Sequence, residues 1–340
     1  MEFWKNRRVL ITGHTGIKGA WLTFMLKLMG ADVAGYGLDA VKPSLFRLLY
    51  PDGFSESIIN DIQDTKQLRR LLSWQRPEVV FHMAAQAEMR VGYDDPLGTF
   101  QTNIFGTVAL LDLLREIPEA KSILVITTDK VYRELDSNIG YAEYAELGGS
   151  DPYSCSKACA DMVASTYGNV YIKNRLAIAR SGNVIGGGDW SRNRLIPNCL
   201  RAIRGEHGLV LYDPDATRPW QHVIDCLRGY IMLAEALYKD KSFARAWNFG
   251  AKQSTSIKDV VDLLFAAYGK EPKYEIKASD YHEAKRLALN SNAIKNALGW
   301  EPKFDIEKAI SLTAKWHQAI DNGADAAKIC CMQIEENYSA

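Results

Sequence analysis

"RVLITGHTGIKGAWL", residues 8–22, decides the fold. A five-residue β-prone run passes directly into three spaced glycines, Gly13, Gly16 and Gly19, and then into an apolar stretch with helical spacing. A buried strand, a tight turn and a helix in that order open a βαβ unit. Ile17, Trp21, Phe24, Met25 and Leu28 keep the 3.6-residue spacing, which predicts a helix packing that face on a sheet, with Gly30 as its stop.

Further apolar runs follow at helix-length intervals: "DVAGYGL" (32–38), "EVVFHM" (78–83), "SILVIT" (122–127) and "RLAIAR" (175–180). Continuous apolar strands separated by helices predict an α/β protein, a doubly wound parallel sheet of Rossmann type covered on both faces. Past residue 181 the rhythm gives way to "SGNVIGGGDWSRN" and "YDPDATRPWQH", rich in Gly, Asn, Asp and Pro, where a smaller C-terminal α/β substrate-binding domain is expected. The expected division is a dinucleotide-binding domain over 1–181, with a returning segment near 220–250, and mainly substrate binding over 182–340. Amphipathic helices are predicted over 223–238, 256–268 and 305–321, with no flexible linker or internal repeat between them.

Lys and Arg together number 41, as do Asp and Glu, so the chain of 340 residues carries no net charge. That balance gives no support for a nucleic-acid partner or an anionic membrane surface. The apolar run after the first basic residues is too short for a signal-peptide core, and no stretch comes near the roughly 18 apolar residues of a membrane span. Six cysteines (Cys155, Cys159, Cys199, Cys226, Cys330 and Cys331) show no CxxC and no Cys/His zinc spacing, so no metal is expected and the thiols read as reduced, in a cytoplasmic protein. Cys155 and Cys159 fit one helix face as small packing residues.

The glycines carry the first functional signal. Gly13 suits the turn, Gly16 the close approach of a phosphate and Gly19 the helix–sheet contact, so a dinucleotide pyrophosphate fits against the helix N-terminus. Asp39 ends the second strand, 20 residues beyond Gly19. An acid there accepts hydrogen bonds from ribose hydroxyls and repels a 2′-phosphate, which favours NAD over NADP, a preference that Lys42 weakens.

The second signal is a cluster at the fourth long strand, where "TTDKVY" (127–132) places Asp129 and Lys130 at a strand end, and Tyr153 and Lys157 form a YxxxK on the next helix. That spacing puts tyrosine and lysine on one face, where an ammonium helps the phenol act as a base. A second YxxxK, Tyr281 to Lys285, has no sheet context and shows how cheap the pattern is alone. Tyr153 lies 24 residues after Asp129, within reach of the sheet edge where ligands bind.

Glycine fingerprint, Asp39, "TTDK" and "YSCSK" resemble the extended short-chain dehydrogenase/reductase superfamily. "GHTGIKG", "HMAAQ", "TDK", "DPYSCSK", "SGNVIGGGDW", "RLIP", "ATRPWQHV", "WNFG" and "LGWEP", in this order over residues 5–320, narrow the resemblance to the CDP-glucose 4,6-dehydratases. Ala87, Glu88 and Met89 stand where that family usually has Pro-Leu-Val, and Val131 where it commonly has cysteine.

The resemblance implies an NAD-dependent hydro-lyase acting on a nucleotide sugar, in which hydride leaves sugar C4 and returns at C6 while water departs. Tyr153 would take the C4 hydroxyl proton, Lys157 hold the nicotinamide ribose and tune Tyr153, and Thr128 bond the C4 oxygen. Asp129, protonated, would donate to the departing C6 hydroxyl, and Lys130 would take the C5 proton. A free lysine is protonated at neutral pH, so such a base needs desolvation or neighbouring cations. Cofactor contacts are implied from Gly13, Thr15, Gly16, Ile17, Gly19, Asp39, Asp61, Ile62, Ala84 and Ala85, with Tyr153 and Lys157. Substrate contacts are implied from Gln86, Asn183, Arg194, Leu195, Arg218 and His222, with Gly186, Gly187 and Gly188 nearby. Trp220 stacks or packs, His82 is structural or adjacent to the cofactor, and Glu283 could reach the nucleotide. A homodimer or homotetramer is expected, formed by the helices that hold Asn103 and Tyr153. A 4-epimerase would share the tyrosine and lysine but has no use for an acid/base pair at 129 and 130, and a non-catalytic NAD-binding regulator would lack the catalytic tyrosine or lysine.

Overall fold

β1 (Arg8–Thr12) sits inside a seven-stranded sheet, and the strands around it explain why the apolar runs do not alternate. The structure, a computed structural model, describes residues 2–135, 139–279, 281 and 284–339. With β2 (Asp32–Gly37), β3 (Ser57–Ile59), β4 (Val79–His82), β5 (Ser122–Thr128), β6 (Leu176–Ser181) and β7 (Ala246–Phe249), the order is β7-β6-β5-β4-β1-β2-β3, parallel throughout. Val9 and Ile11 face one core with α1 (Ile17–Leu28), while Leu10 faces a second core with α3 (Thr65–Gln75). Because each face is covered, successive residues are both buried, and each large side chain so enclosed contributes about 1.5–3 kcal/mol.

The five predicted strands form within a residue or two of their expected ends, and the three later helices occur as Val223–Lys239, Ile257–Ala267 and Ile306–Asp321. β3 and β7 were not anticipated. The face expected of α1 is corrected: Trp21, Leu22, Met25 and Leu26 are buried, whereas Leu28 is 51% exposed. The helix is gripped on two sides, by the sheet and by α2 (Leu45–Leu49) and the helix Val223–Lys239, so its buried stripe is broader than a one-sided face.

The expectation that no stretch approaches a membrane span needs correction too. The helical run Pro96–Leu114 has 19 residues and mean hydropathy 1.2, long and apolar enough by composition alone. It lies along the helix Pro152–Val170, burying Leu110, Leu111 and Leu114, while Leu97 and Phe105 remain more than 60% exposed.

In the second half, Leu200, Val260, Leu264 and Ile310 from three helices build a separate core with Trp220. The chain's last helix, Ala326–Ser339, is no loose tail: Cys330 is buried and accepts from Trp316 Nε1 at 3.4 Å. All six cysteines are free thiols.

Candidate active site

Strand order reverses between β1 and β4, and the crevice beyond their carboxyl ends is where open α/β sheets bind ligands. Thr12, the last residue of β1, ties the two ends together, since its hydroxyl accepts from the backbone N–H of Met83 and of Ala84, each at 3.2 Å. Gly13 follows with φ +73°, and a Cβ there would stand 2.7 Å from the Ala84 nitrogen. A Cβ on Gly19 would lie 2.1 Å from the Gly13 carbonyl oxygen, so the helix is pressed onto the turn. Gly16 differs: it is the uncapped N-cap of α1, and a Cβ would meet only that oxygen, at 3.5 Å. Crowded glycines behind and an open one in front leave first-turn N–H groups facing free space, a shape and polarity that fit a pyrophosphate.

The Thr15 hydroxyl donates to the Leu38 carbonyl at 2.8 Å, which fixes the glycine turn beside Asp39. Asp39 is exposed and paired with Arg47. Asp61 caps its own turn through Gln63 N–H at 2.8 Å, Ile62 is buried against Gly106, and Ala84 and Ala85 begin the loop after β4. His82 is buried between Thr12 and Thr107, bonded to each at 2.8 and 3.0 Å, and burial lowers its pKa to about 3. It is a structural histidine.

At the end of β5 the Thr128 hydroxyl donates to Asp129 Oδ1 at 2.9 Å and lies near enough to Tyr153 to oppose the rise of its pKa. Asp129 is 2% exposed, and its Oδ2 has no hydrogen-bond partner among the described residues. Burial raises its pKa, against the opposing charges of Lys130 and Arg218. Lys130 lies beside Met89, Nζ to Sδ 3.6 Å. Burial pushes Tyr153 up to about 12, opposed by Thr128 and Arg194. Lys157 is lowered to about 8 by burial and by Lys18. Its ammonium donates to the Ile126 carbonyl at 2.8 Å. Helical spacing puts Tyr153 and Lys157 on one face, but here a strand carbonyl holds the lysine, and Thr128 stands beside the tyrosine.

The substrate candidates divide. Gln86, whose side chain donates to Thr99 at 2.9 Å, and Arg194, which faces Asp189 at 3.4 Å and acts on Tyr153, lie around the crevice, whereas Leu195 opens the next helix and packs against the second-half core. Arg218 is 1% exposed, donates to the Thr217 carbonyl at 2.9 Å and sits within electrostatic range of Asp129. His222 is wholly buried and caps the helix that follows, accepting from Ile224 N–H at 3.4 Å. Asn183 uses its carbonyl to accept from Gln221 N–H at 2.9 Å. The glycine run is a packing joint, since a Cβ on Gly187 would fall 2.0 Å from the Trp316 ring. Trp220 packs in the second-half core, its Nε1 donating to the Thr255 carbonyl at 3.1 Å. Glu283 lies outside the described residues.

Sequence reasoning missed Lys18. From the first turn of α1 its ammonium acts electrostatically on Lys157 and feels Asp129 and Arg194, and burial lowers its pKa. The signal was present, because a lysine in the first turn opposes the positive end of the helix dipole and needs a reason to be there. Glu88 and Met89 also gain roles: Glu88 accepts from Asn193 Nδ2 at 2.8 Å across the crevice, and Met89 covers Lys130.

A Rossmann-type sheet whose switch point faces a tyrosine, a lysine and a threonine–aspartate–lysine strand end defines an extended short-chain dehydrogenase/reductase. Within that class the chain belongs to the GDP-mannose 4,6 dehydratase family, whose model matches residues 10–313. It is 39% identical to the CDP-glucose 4,6-dehydratase of Salmonella typhimurium over 100% of this chain and 98% of that one. Among solved structures it resembles the UDP-glucose 4-epimerase of Thermus thermophilus in complex with NAD (25% identity, TM-score 0.80, 91% and 98% of the two chains). A dTDP-glucose 4,6-dehydratase of Bacillus anthracis, also in complex with NAD, shares the fold (24%, 0.80, 94% and 99%). Epimerase and dehydratase share this architecture, so the choice between them rests on side chains.

Proposed function

We propose that this chain is a nucleotide-sugar 4,6-dehydratase that converts CDP-glucose to CDP-4-keto-6-deoxyglucose with NAD as a recycled cofactor. One observation carries the reading: a buried carboxyl, Asp129, with one oxygen unpartnered among the described residues, stands between Thr128 and Lys130 and beside Tyr153. Epimerisation at C4 has no leaving group to protonate.

Residues 1–181, with a returning segment near 220–250, hold the dinucleotide, and residues 182–340 mainly hold the sugar nucleotide. The pyrophosphate lies on Gly13, Thr15, Gly16, Ile17 and Gly19; Asp39 takes the adenosine ribose; Asp61, Ile62, Ala84 and Ala85 line the rest. Held by these residues, NAD would supply the acceptor for the C4 hydride and its return to C6. Tyr153 removes the C4 hydroxyl proton, a role that requires added positive charge, because burial pushes the phenol up to about 12 even with Arg194 opposing it. Lys157 supplies some of that charge. Thr128 keeps the C4 oxygen in place. With C4 oxidised, the C5 proton becomes acidic and Lys130 takes it, while Asp129 gives its proton to the C6 hydroxyl, which leaves as water; the return of hydride to C6 is matched by return of the proton from Lys130 to C5. Gln86, Arg194 and Arg218 contact the sugar nucleotide, the arginines on its diphosphate side, while Asn183, Leu195 and the buried His222 support the loops behind them.

A second reading, a dehydratase for another nucleotide sugar, is favoured by Ala87, Glu88 and Met89, which differ from the usual family segment; Glu88 reaches Asn193 and Met89 reaches Lys130. Incubation with CDP-glucose, followed by mass spectrometry, tests the proposal. Loss of one water without net NADH is expected; unchanged mass with altered configuration would mean epimerisation, and turnover only of dTDP-glucose, UDP-glucose or GDP-mannose would support the second reading. Six free thiols suit the cytoplasm. Exposed Leu97, Phe105 and Met162, on the paired helices, suit a homodimer or homotetramer. The product class fits deoxysugar supply for O-antigen lipopolysaccharide.

A further inference from the structure

At the end of β2 the acid expected to choose between dinucleotides is not alone. One amino group of Arg47 donates to both oxygens of Asp39, at 2.9 and 2.8 Å, and its Nε donates to the Ala40 carbonyl at 2.9 Å. The other amino group, Nη1, donates to no protein group among the described residues. The pair sits at the mouth of the nucleotide crevice, because Thr15 bonds Leu38 and the glycine turn lies against Gly37, whose added Cβ would be 3.3 Å from Gly13 Cα.

Exposure decides how firmly the two are joined. The side chains are 38% and 67% accessible, and ion pairs that wet contribute about 0–1 kcal/mol. A ligand therefore separates them at little cost. A carboxylate at this position accepts from ribose hydroxyls, and an arginine beside it is the group that accommodates a 2′-phosphate. Both stand here on one edge, eight residues apart. Arg47 also offsets the negative charge by which Asp39 would repel that phosphate.

We propose that Asp39 and Arg47 form an either-or pair that sets dinucleotide preference: Asp39 receives the adenosine ribose hydroxyls of NAD, and Arg47 turns its open donor to the 2′-phosphate of NADP. This rests on the dinucleotide reading above and goes beyond it, since a lone acid would exclude NADP far more strongly. The chain then binds NADP with an affinity set by Arg47, and its NAD preference is moderate.

Calorimetric titration of cofactor-stripped enzyme with NAD, NADP and 2′-AMP tests it, reading affinities rather than turnover. Arg47→Ala should weaken NADP and 2′-AMP about tenfold, the loss of one charge-assisted hydrogen bond, with NAD unchanged or tighter. Asp39→Asn should shift the ratio the other way, towards NADP. If the NAD-to-NADP ratio in Arg47→Ala stays within about threefold of the parent while NAD still binds, the pair has no such role. Failure of the parent chain to bind either dinucleotide would instead overturn the dinucleotide reading, and this proposal with it.

Discussion

A carboxylic acid that must release a proton at neutral pH has to be kept from ionising until the moment of use. At Asp129 burial does this: the charged form loses its hydration, Thr128 satisfies one oxygen, and nothing among the described residues satisfies the other. Lys130 and Arg218 pull the other way, which leaves the acid poised rather than inert. Asp129→Asn keeps the shape and the Thr128 contact but has no proton to give. Water elimination should fall about 100-fold or more, while oxidation at C4, read as the absorbance of reduced cofactor, continues. Equal losses in both steps would mean that Asp129 positions the sugar rather than protonating it. This pairing of threonine, aspartate and lysine was legible in "TTDK" because the three residues are contiguous. Lys18 was not, because it reaches them from α1 and nothing in the local sequence names its neighbours.

At the scale of an element, α1 and its glycines show what sequence spacing conveys and what it leaves out. Three glycines signalled a turn, a phosphate approach and a helix contact, but only the geometry separates their roles. A methyl on Gly19 would overlap the Gly13 carbonyl at 2.1 Å, whereas one on Gly16 would touch it only at 3.5 Å. Gly19→Ala should therefore destabilise the fold by about 1–3 kcal/mol, the usual penalty of overpacking. Gly16→Ala should unfold at nearly the parental urea midpoint yet bind dinucleotide at least about tenfold more weakly, since the added methyl enters the space kept for phosphate. Parallel urea and titration curves decide this; comparable stability losses in the two variants would contradict it. The long strands were readable because both faces are buried, so apolar residues run without a break. β3 and β7 escaped notice because "SII" and "AWNF" are too short to carry a period of their own, and neighbours β2 and β6 recruit them. Gly187, read as a ligand contact, is held to glycine by Trp316, a partner 129 residues away that no local pattern could indicate.

At the scale of the whole molecule, four histidines among the described residues are buried in places where they cannot accept a proton cheaply. His14 lies under β2, bonded to Ser57 Oγ at 2.6 Å; His82 joins β1 to the helical run Pro96–Leu114; His222 caps a helix; His317 packs between Trp190 and Trp316 with neither ring nitrogen partnered among the described residues. Burial lowers His14, His222 and His317 from 6.5 to about 4 and His82 to about 3. Between pH 6.5 and about 4 the unfolded chain thus binds protons that the native chain refuses, so unfolding takes them up and acid favours it. Stability contributed by these groups is complete above pH 6.5 and is lost as pH falls towards 4. One pKa unit corresponds to about 1.4 kcal/mol, so a single histidine of this kind already outweighs a typical surface ion pair. The urea midpoint should drop clearly between pH 7.5 and pH 5. His317→Phe preserves an aromatic ring between the tryptophans and removes one of the four protons taken up, so its midpoint should fall less over the same interval. A parental midpoint that holds constant to pH 5, or a variant that falls as steeply, would show that these histidines do not govern acid stability; carboxylates such as Glu78, held low by Arg7 and Arg8, lose their contribution only at lower pH, below the usual carboxylate range.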